Sequence, residues 1–203
     1  MAMLNILAAV LGSRLAEEAA TPEPGAGELT QAEFEAFHAE TSKALWSYLA
    51  RLTGDASLAE DVAQESYLRF LSRPSRRQDP AARRAYLFRI ATNLVRDRWR
   101  RNRFHADWDD ELLNTLIAPD PAFGVDGKVD VRRVFPQLRP RERALLWLAY
   151  VEGHSHHEIA EILGLRSLSV RVLLSRARKR LKRQLEVDAV AEEKTVEELG
   201  ESP

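Results

Sequence analysis

Cysteine is absent from this chain of 203 residues. Disulfides, thiolate zinc sites and thiol nucleophiles are thereby excluded, and any metal would have to be held by histidine and carboxylates. The absence fits a reducing compartment. Long apolar runs are missing too, none approaching the ~20 residues of a membrane-spanning helix. The opening stretch MAMLNILAAVLGSRLAEE has no basic segment ahead of its apolar part, and Arg14, Glu17 and Glu18 interrupt it early. It does not read as a signal peptide; Leu4, Leu7, Leu11 and Leu15 instead fall on one face of a short amphipathic helix. A soluble, cytoplasmic protein without membrane insertion is expected. Period-two alternation of β-branched residues is found nowhere, nor is any internal repeat, so the expected fold class is all-α.

Net charge is nearly absent, formally -1, yet the charges are strongly segregated. From Glu17 to Glu40 there are seven glutamates and no lysine or arginine. RIATNLVRDRWRRNR, Arg89 to Arg103, holds six arginines and one aspartate. Arg166 to Arg183 holds eight basic residues and no acid, and Glu186 to Glu201 seven acids against Lys194. Two separate cationic segments in a neutral chain raise the question of a polyanionic partner twice.

Pro22, Pro24, Gly25 and Gly27 make TPEPGAG a flexible connector, which sets off residues 1–27 as an N-terminal extension. Helical periodicity runs from about Thr30 to Arg103, giving a first domain at 28–104. His105 to Gly127, acidic and carrying Pro119, Pro121, Gly124 and Gly127, reads as a linker over 105–127. Four helical segments separated by QLRP, EGHS and GLRS form a second domain at 128–186. An acidic tail occupies 187–203 and is expected to be solvated and disordered.

In the first cationic segment Arg89, Asn93, Arg96, Arg100 and Arg103 recur at helical spacing and share one stripe, while Leu87, Ile90, Ala91, Leu94 and Val95 lie opposite. A merely solubilising face normally mixes signs, and here Asp97 is the only acid. A surface that tracks phosphates accounts for the excess, with Asn93 able to reach a base. Tyr86 and Trp99 flank the stripe and Phe104 follows it. Rings beside guanidinium groups suit unpaired bases, although Trp99 also borders the apolar sector and has an ordinary place in the core.

The second cationic segment, HSHHEIAEILGLRSLSVRVLLSRARKRLKR, has the spacing of a helix-turn-helix. Ala160 is small where two helices meet, Gly164 permits a left-handed turn, and Val170, Leu174, Ala177 and Leu181 form the seam of the second helix. Arg171, Ser175, Arg178, Lys179 and Lys182 share another face, as on a helix offered to a major groove. Leu168 and Val172 intrude on it, positioned to meet thymine methyls or another protein.

Two cationic helical modules joined by an acidic linker resemble bacterial sigma factors of RNA polymerase, in particular the extracytoplasmic-function (ECF) group. SLAEDVAQESYLRFL (Ser57 to Leu71), AYLFRIATNLVRDRWRR (Ala85 to Arg101), LRPRERALLWLAYVEGHSHHEIAEILG (Leu138 to Gly164) and SVRVLLSRARKRL (Ser169 to Leu181) carry the resemblance, over about Glu28 to Glu186. It implies a region 2 type bundle and a region 4 type helix-turn-helix, bound to the clamp coiled coil and flap of core polymerase. Arg89, Asn93, Arg96, Trp99, Arg100 and Arg103 would then engage and melt the minus-10 element and hold the non-template single strand, with SRPSRRQDPAARR capturing a flipped base. Ser167, Ser169, Arg171, Ser175, Arg176, Arg178, Lys179 and Lys182 would meet duplex DNA at the minus-35 element. Val172 and Leu173 replace a common Ser and Arg of the family, so a different minus-35 sequence is expected. Asp61, Gln64, Glu65 and Leu68, on one face of a helix expected to begin with a Ser57/Glu60 capping box, would bind core polymerase. The acidic linker would thread toward the active-site and RNA-exit channel. An anti-sigma factor is a further implied partner.

Three other readings compete. His154, His156, His157, Glu158 and Glu161 invite a metal-site reading, but HHEIAE lacks the H-E-x-x-H spacing and these groups are expected to be solvated at a helix start, so no enzyme, metal or cofactor is expected. A stand-alone regulator would bind a palindromic duplex without polymerase. Finally, the tail Glu186 to Glu201 could fold back on a cationic helix and inhibit it.

Overall fold

The first helix, α1 (Gln31–Thr53), is set by a reciprocal cap: the Thr30 hydroxyl accepts from the Glu33 N–H, and the Glu33 carboxylate accepts from the Thr30 N–H at 2.8 Å. Its buried residues Phe34, Phe37, Thr41, Leu45, Tyr48 and Leu52 recur every three or four positions and make one core stripe. Gly54, at φ 74°, ends the helix in the left-handed conformation that a side chain would strain. The computed structural model describes residues 29–72, 79–102 and 131–200, and among these there are helices and no strand.

Helix α2 (Ala56–Ser72) starts immediately after that turn, capped by Asp55, whose Oδ1 accepts from the N–H of Ser57 at 2.9 Å and of Leu58 at 3.1 Å. This corrects the expected Ser57/Glu60 box. Ser57 already lies inside the first turn, and Asp55, one residue past the chain reversal, is where the free N–H groups point. Helix α3 (Pro80–Asn102) begins with proline at its first position and the Asp79 carboxylate accepting from Ala82 N–H at 3.0 Å. The three helices form a bundle whose interior hydroxyls all find partners: Tyr48 with Thr92 at 2.8 Å, Thr41 with Tyr67 at 2.7 Å, and Ser66 donating to Val62 O.

The second module comprises α4 (Val131–Val134), a 3-10 turn over Phe135–Gln137, α5 (Pro140–Tyr150), α6 (His156–Leu163) and α7 (Ser167–Gly200). Ser155 and Glu158 cap α6 reciprocally, and Gly164 (φ 65°) makes the left-handed turn into α7. Ala160, Val170, Leu174, Ala177 and Leu181 are buried as the helix-turn-helix spacing requires. The tail differs from its expected disorder, because α7 continues without a break to Gly200. Between Glu186 and Leu199 there is no glycine or proline, and lengthening an existing helix avoids the cost of nucleating one. Arg133 pairs with Asp188 at 3.1 Å and ties this extension to the module.

The modules also pack on each other, α6 against α3 and α5 against α1, with one apolar cluster running through both. The extension at 1–27, the RPSRRQ stretch at 73–78 and the linker lie outside the described residues.

Asp55→Ala should lower the unfolding free energy by about 1 kcal/mol, as for loss of a helix cap, while Ser57→Ala changes it little. Urea titration of the two variants checks the assignment.

Candidate nucleic-acid interface

Helix α3 buries Leu87, Phe88, Ala91, Leu94 and Val95, and Ile90 packs beside them. With that face fixed inward, Arg89 and Asn93 stand in solvent. Arg100 is also exposed and carries an ion pair to Asp97 one turn back. Arg96 departs from the stripe: it is half-buried, its Nη1 lying 3.6 Å from where a Cβ on Gly164 would sit, so it faces the second module. Trp99 is only 8% exposed, and the expected stacking ring is therefore corrected to a core ring in this arrangement. It sits where the stripe meets the apolar sector, and burying an indole's large surface decides on which side it falls. Arg103 lies outside the described residues.

On α7 the exposed members of the expected set are Ser167, Arg171, Lys179 and Lys182. Arg176 is half-buried, and Arg178, likewise half-buried, donates from Nη1 to the Tyr150 hydroxyl at 3.0 Å. Ser169 and Ser175, at 7% and 6% exposure, are corrected from surface contacts to interior positions. Both adjoin seam residues, Ser169 beside Val170 and Ser175 beside Leu174, so the rotation that buries the seam carries them in. The available cationic surface is consequently concentrated at the helix start and on the outer edge.

The expected α2 patch is unevenly exposed. Asp61 and Leu68 are exposed, Gln64 and Glu65 half-buried. Glu65 accepts from Arg69 at 2.7 Å and from Arg98 of α3 at 3.1 Å, and Arg98 also lies 4.0 Å from Asp61. One arginine of the first cationic segment thus faces the acidic patch.

The junction between the modules holds residues that no local pattern had singled out. Glu152, in the turn after α5, has a side chain 4% exposed and uses both oxygens: Oε1 accepts from Trp147 Nε1 at 2.8 Å, and Oε2 pairs with Arg84 of α3. Arg84 also lies over the Phe88 ring, 5.4 Å from its centroid. That ring meets His154 edge-on at 5.4 Å. His154 was expected to be solvated; it is buried, its Nδ1 3.8 Å from Glu158 and its Nε2 without a hydrogen-bond partner. Burial pushes its pKa down first of all, the Arg84 charge adds to this, and Glu158 and Glu152 oppose it. The sequence could not reveal this site, because each half is completed by the other module.

Residues 38–105 match the family model described as Sigma-70 region 2, and residues 128–181 the one described as Sigma-70, region 4. The ECF RNA polymerase sigma factor SigL of Mycobacterium tuberculosis is 32% identical over 166 residues, which covers 80% of this chain and 94% of SigL. The chain belongs to the ECF RNA polymerase sigma factors. RNA polymerase sigma factor CarQ of Myxococcus xanthus is 30% identical over 75% of this chain and 88% of its own. Among solved structures, the sigma factor RpoE of Bartonella quintana, in complex with the anti-sigma factor NepR, shares the fold with a TM-score of 0.52. Its sequence identity is 22%, over 76% of this chain and 98% of that one. As a sigma factor the protein binds core polymerase and promoter DNA and serves transcription initiation. The α2 patch and the α3 cations fall within the region 2 match, and Ser167 to Lys179 within the region 4 match. No helix among the described residues is long and apolar enough to cross a membrane.

Glu152→Ala leaves the Arg84 guanidinium and the Trp147 N–H without their shared acceptor. Loss of one partner of a largely buried pair costs about 3 kcal/mol. The variant should show a larger radius of gyration by solution scattering, with helix content unchanged. His154 adds a pH dependence. Its folded-state pKa is depressed, so as pH falls below about 6.5, the ordinary histidine value, the unfolded chain takes up the proton first and stability is lost. Between pH 7 and 5.5 the stability of the wild type should therefore fall more steeply than that of His154→Gln, with parallel curves above pH 7, as read by urea unfolding.

Proposed function

We propose that this ECF sigma factor divides promoter recognition between the outward face of α3, which grips the opened minus-10 element with Arg89, Asn93 and Arg100, and the start of α7, which reads the minus-35 duplex. The observation that carries this reading is a pair of cationic faces, each backed by a buried and largely apolar one, which fixes which side of each helix meets solvent. Phosphates pair with the guanidinium groups, and Asn93 has the donor and acceptor to engage an exposed base. Melting costs about 1.4 kcal/mol per base-pair step, so gripping the separated strand must offset several such steps.

The two elements, named for positions 25 base pairs apart, are separated by roughly 85 Å of B-form duplex at 3.4 Å per pair. Modules joined through Glu152 and His154 do not span that distance, so promoter engagement requires them to separate. The residues between Asn102 and Val131 have a contour length of up to about 100 Å, enough to allow it. Core polymerase, docked on the α2 patch of Asp61, Gln64, Glu65 and Leu68 through its clamp coiled coil and on the second module through its flap, holds them apart. The protein works in the cytoplasm as an initiation factor without catalysis of its own. An anti-sigma factor controls it, as NepR partners the similarly folded RpoE.

Run-off transcription with purified core polymerase on the DNA upstream of the protein's own gene tests the scheme. Arg89→Ala with Arg100→Ala should leave core binding intact, slow open-complex formation, and reduce the salt slope of log K by about 2, one unit per phosphate contact. Tight, specific binding to a palindromic duplex by the sigma factor alone, with no start-site selection in the presence of core, would overturn the scheme in favour of a stand-alone regulator.

A further inference from the structure

Leu168 is 92% exposed, far more than any other large apolar side chain of the described residues, of which the next is Val187 at 61%. A lone exposed leucine carries no message in itself. Its position does. It is the second residue of α7, flanked by exposed Arg166, Ser167 and Arg171. At 100° per residue it lies about 120–180° around the helix from Val170, Leu174 and Ala177, the residues that lock α7 onto the module. Those residues are buried to within 4% of complete, so the rotation of α7 is fixed and Leu168 is held away from its own core. The Gly164 turn in turn fixes where the helix starts.

The N-terminal residues of a recognition helix are those that meet base edges. In the major groove the one apolar feature any base pair offers is the thymine 5-methyl group. We propose that Leu168 is a specificity-determining residue that reads a thymine in the upstream promoter duplex through that methyl group. The neighbouring arginines hold phosphates on either side and supply the charge complementarity that makes DNA, rather than a protein surface, the occupant. A patch built for a protein would extend its apolar area, whereas here the exposed neighbours are cationic and hydroxylic. The proposal rests on α7 being the minus-35 reader and adds the base class it selects.

The test uses holoenzyme assembled from the full-length sigma factor and core polymerase. A duplex library randomised across the upstream region is selected for holoenzyme binding, and each thymine of the enriched element is then replaced by deoxyuridine, which lacks only the methyl group. One thymine should show a drop in affinity of about fourfold on replacement, the factor carried by one buried methyl. Leu168→Ala should bind the thymine duplex with a similar loss and be indifferent to deoxyuridine at that position. Because the side chain is in solvent, this variant folds as the wild type does, which its circular dichroism confirms. An enriched element without thymine, uniform indifference of the wild type to deoxyuridine, or an unchanged deoxyuridine response in Leu168→Ala each overturns the proposal. So does a variant that loses affinity for core polymerase while keeping its base preferences, which would make Leu168 a protein contact. If no upstream element is enriched at all, the reading of α7 itself fails, an outcome distinct from these.

Discussion

Helix α3 has one circumference and three claimants on it. The bundle takes Leu87, Ala91, Leu94 and Val95; the second module takes Arg84, Phe88 and Arg96; solvent keeps Arg89, Asn93 and Arg100. At 3.6 residues per turn these sets interleave rather than occupy separate stretches. The cationic stripe is narrower than six arginines in fifteen residues would suggest for that reason. Some of that charge organises the protein: Arg96 faces the second module, and Arg98 pairs with Glu65.

This sharing ties the three surfaces of the first module to one rigid element. Arg98 reaches from α3 to the acids of α2, so the acidic patch and the cationic face are held in fixed relation across the bundle. These pairs are partly exposed, and exposed pairs contribute little to stability. Their value lies in placement. Glu65 is already engaged by two guanidinium groups, which leaves Asp61 and Leu68 as the more exposed parts of the patch.

The elements governed by local pattern were legible in the sequence. The helix-turn-helix followed from Ala160, Gly164 and Val170, and the apolar face of α3 from its periodicity. What was not legible depended on competition between neighbours. Asp55 and Ser57 are both good caps, and only the site of the chain reversal chooses between them. Ser169, Ser175 and Trp99 lie at the edge of an apolar sector, where a small rotation of the helix decides burial, and a wheel drawn from sequence has no such resolution. His154 and Glu152 look like an ordinary polar turn, because Phe88 and Arg84, which give them their environment, are more than sixty residues away. The acidic tail was read from composition, which favours disorder; its helix is sustained by the folded segment that precedes it.

If the faces of α3 and α7 read separate promoter elements as proposed, closing the junction works against engaging both at once. Only the separated form spans a promoter, and affinity for a ligand that needs a minor state is reduced by the fraction of chains in that state. The more firmly Glu152 and His154 hold the junction closed, the smaller that fraction and the more weakly free sigma factor binds promoter DNA than its two faces allow. In the proposed scheme core polymerase removes that penalty by holding both modules at the separation the DNA requires. The neutral His154 ring, packed against Phe88 with an unpartnered nitrogen, makes part of the junction sensitive to protonation rather than to salt, whereas the grip on phosphates is sensitive to salt. The junction thus combines an ion pair with an aromatic contact that responds to protonation, on the helix whose solvent face carries Arg89 and Arg100.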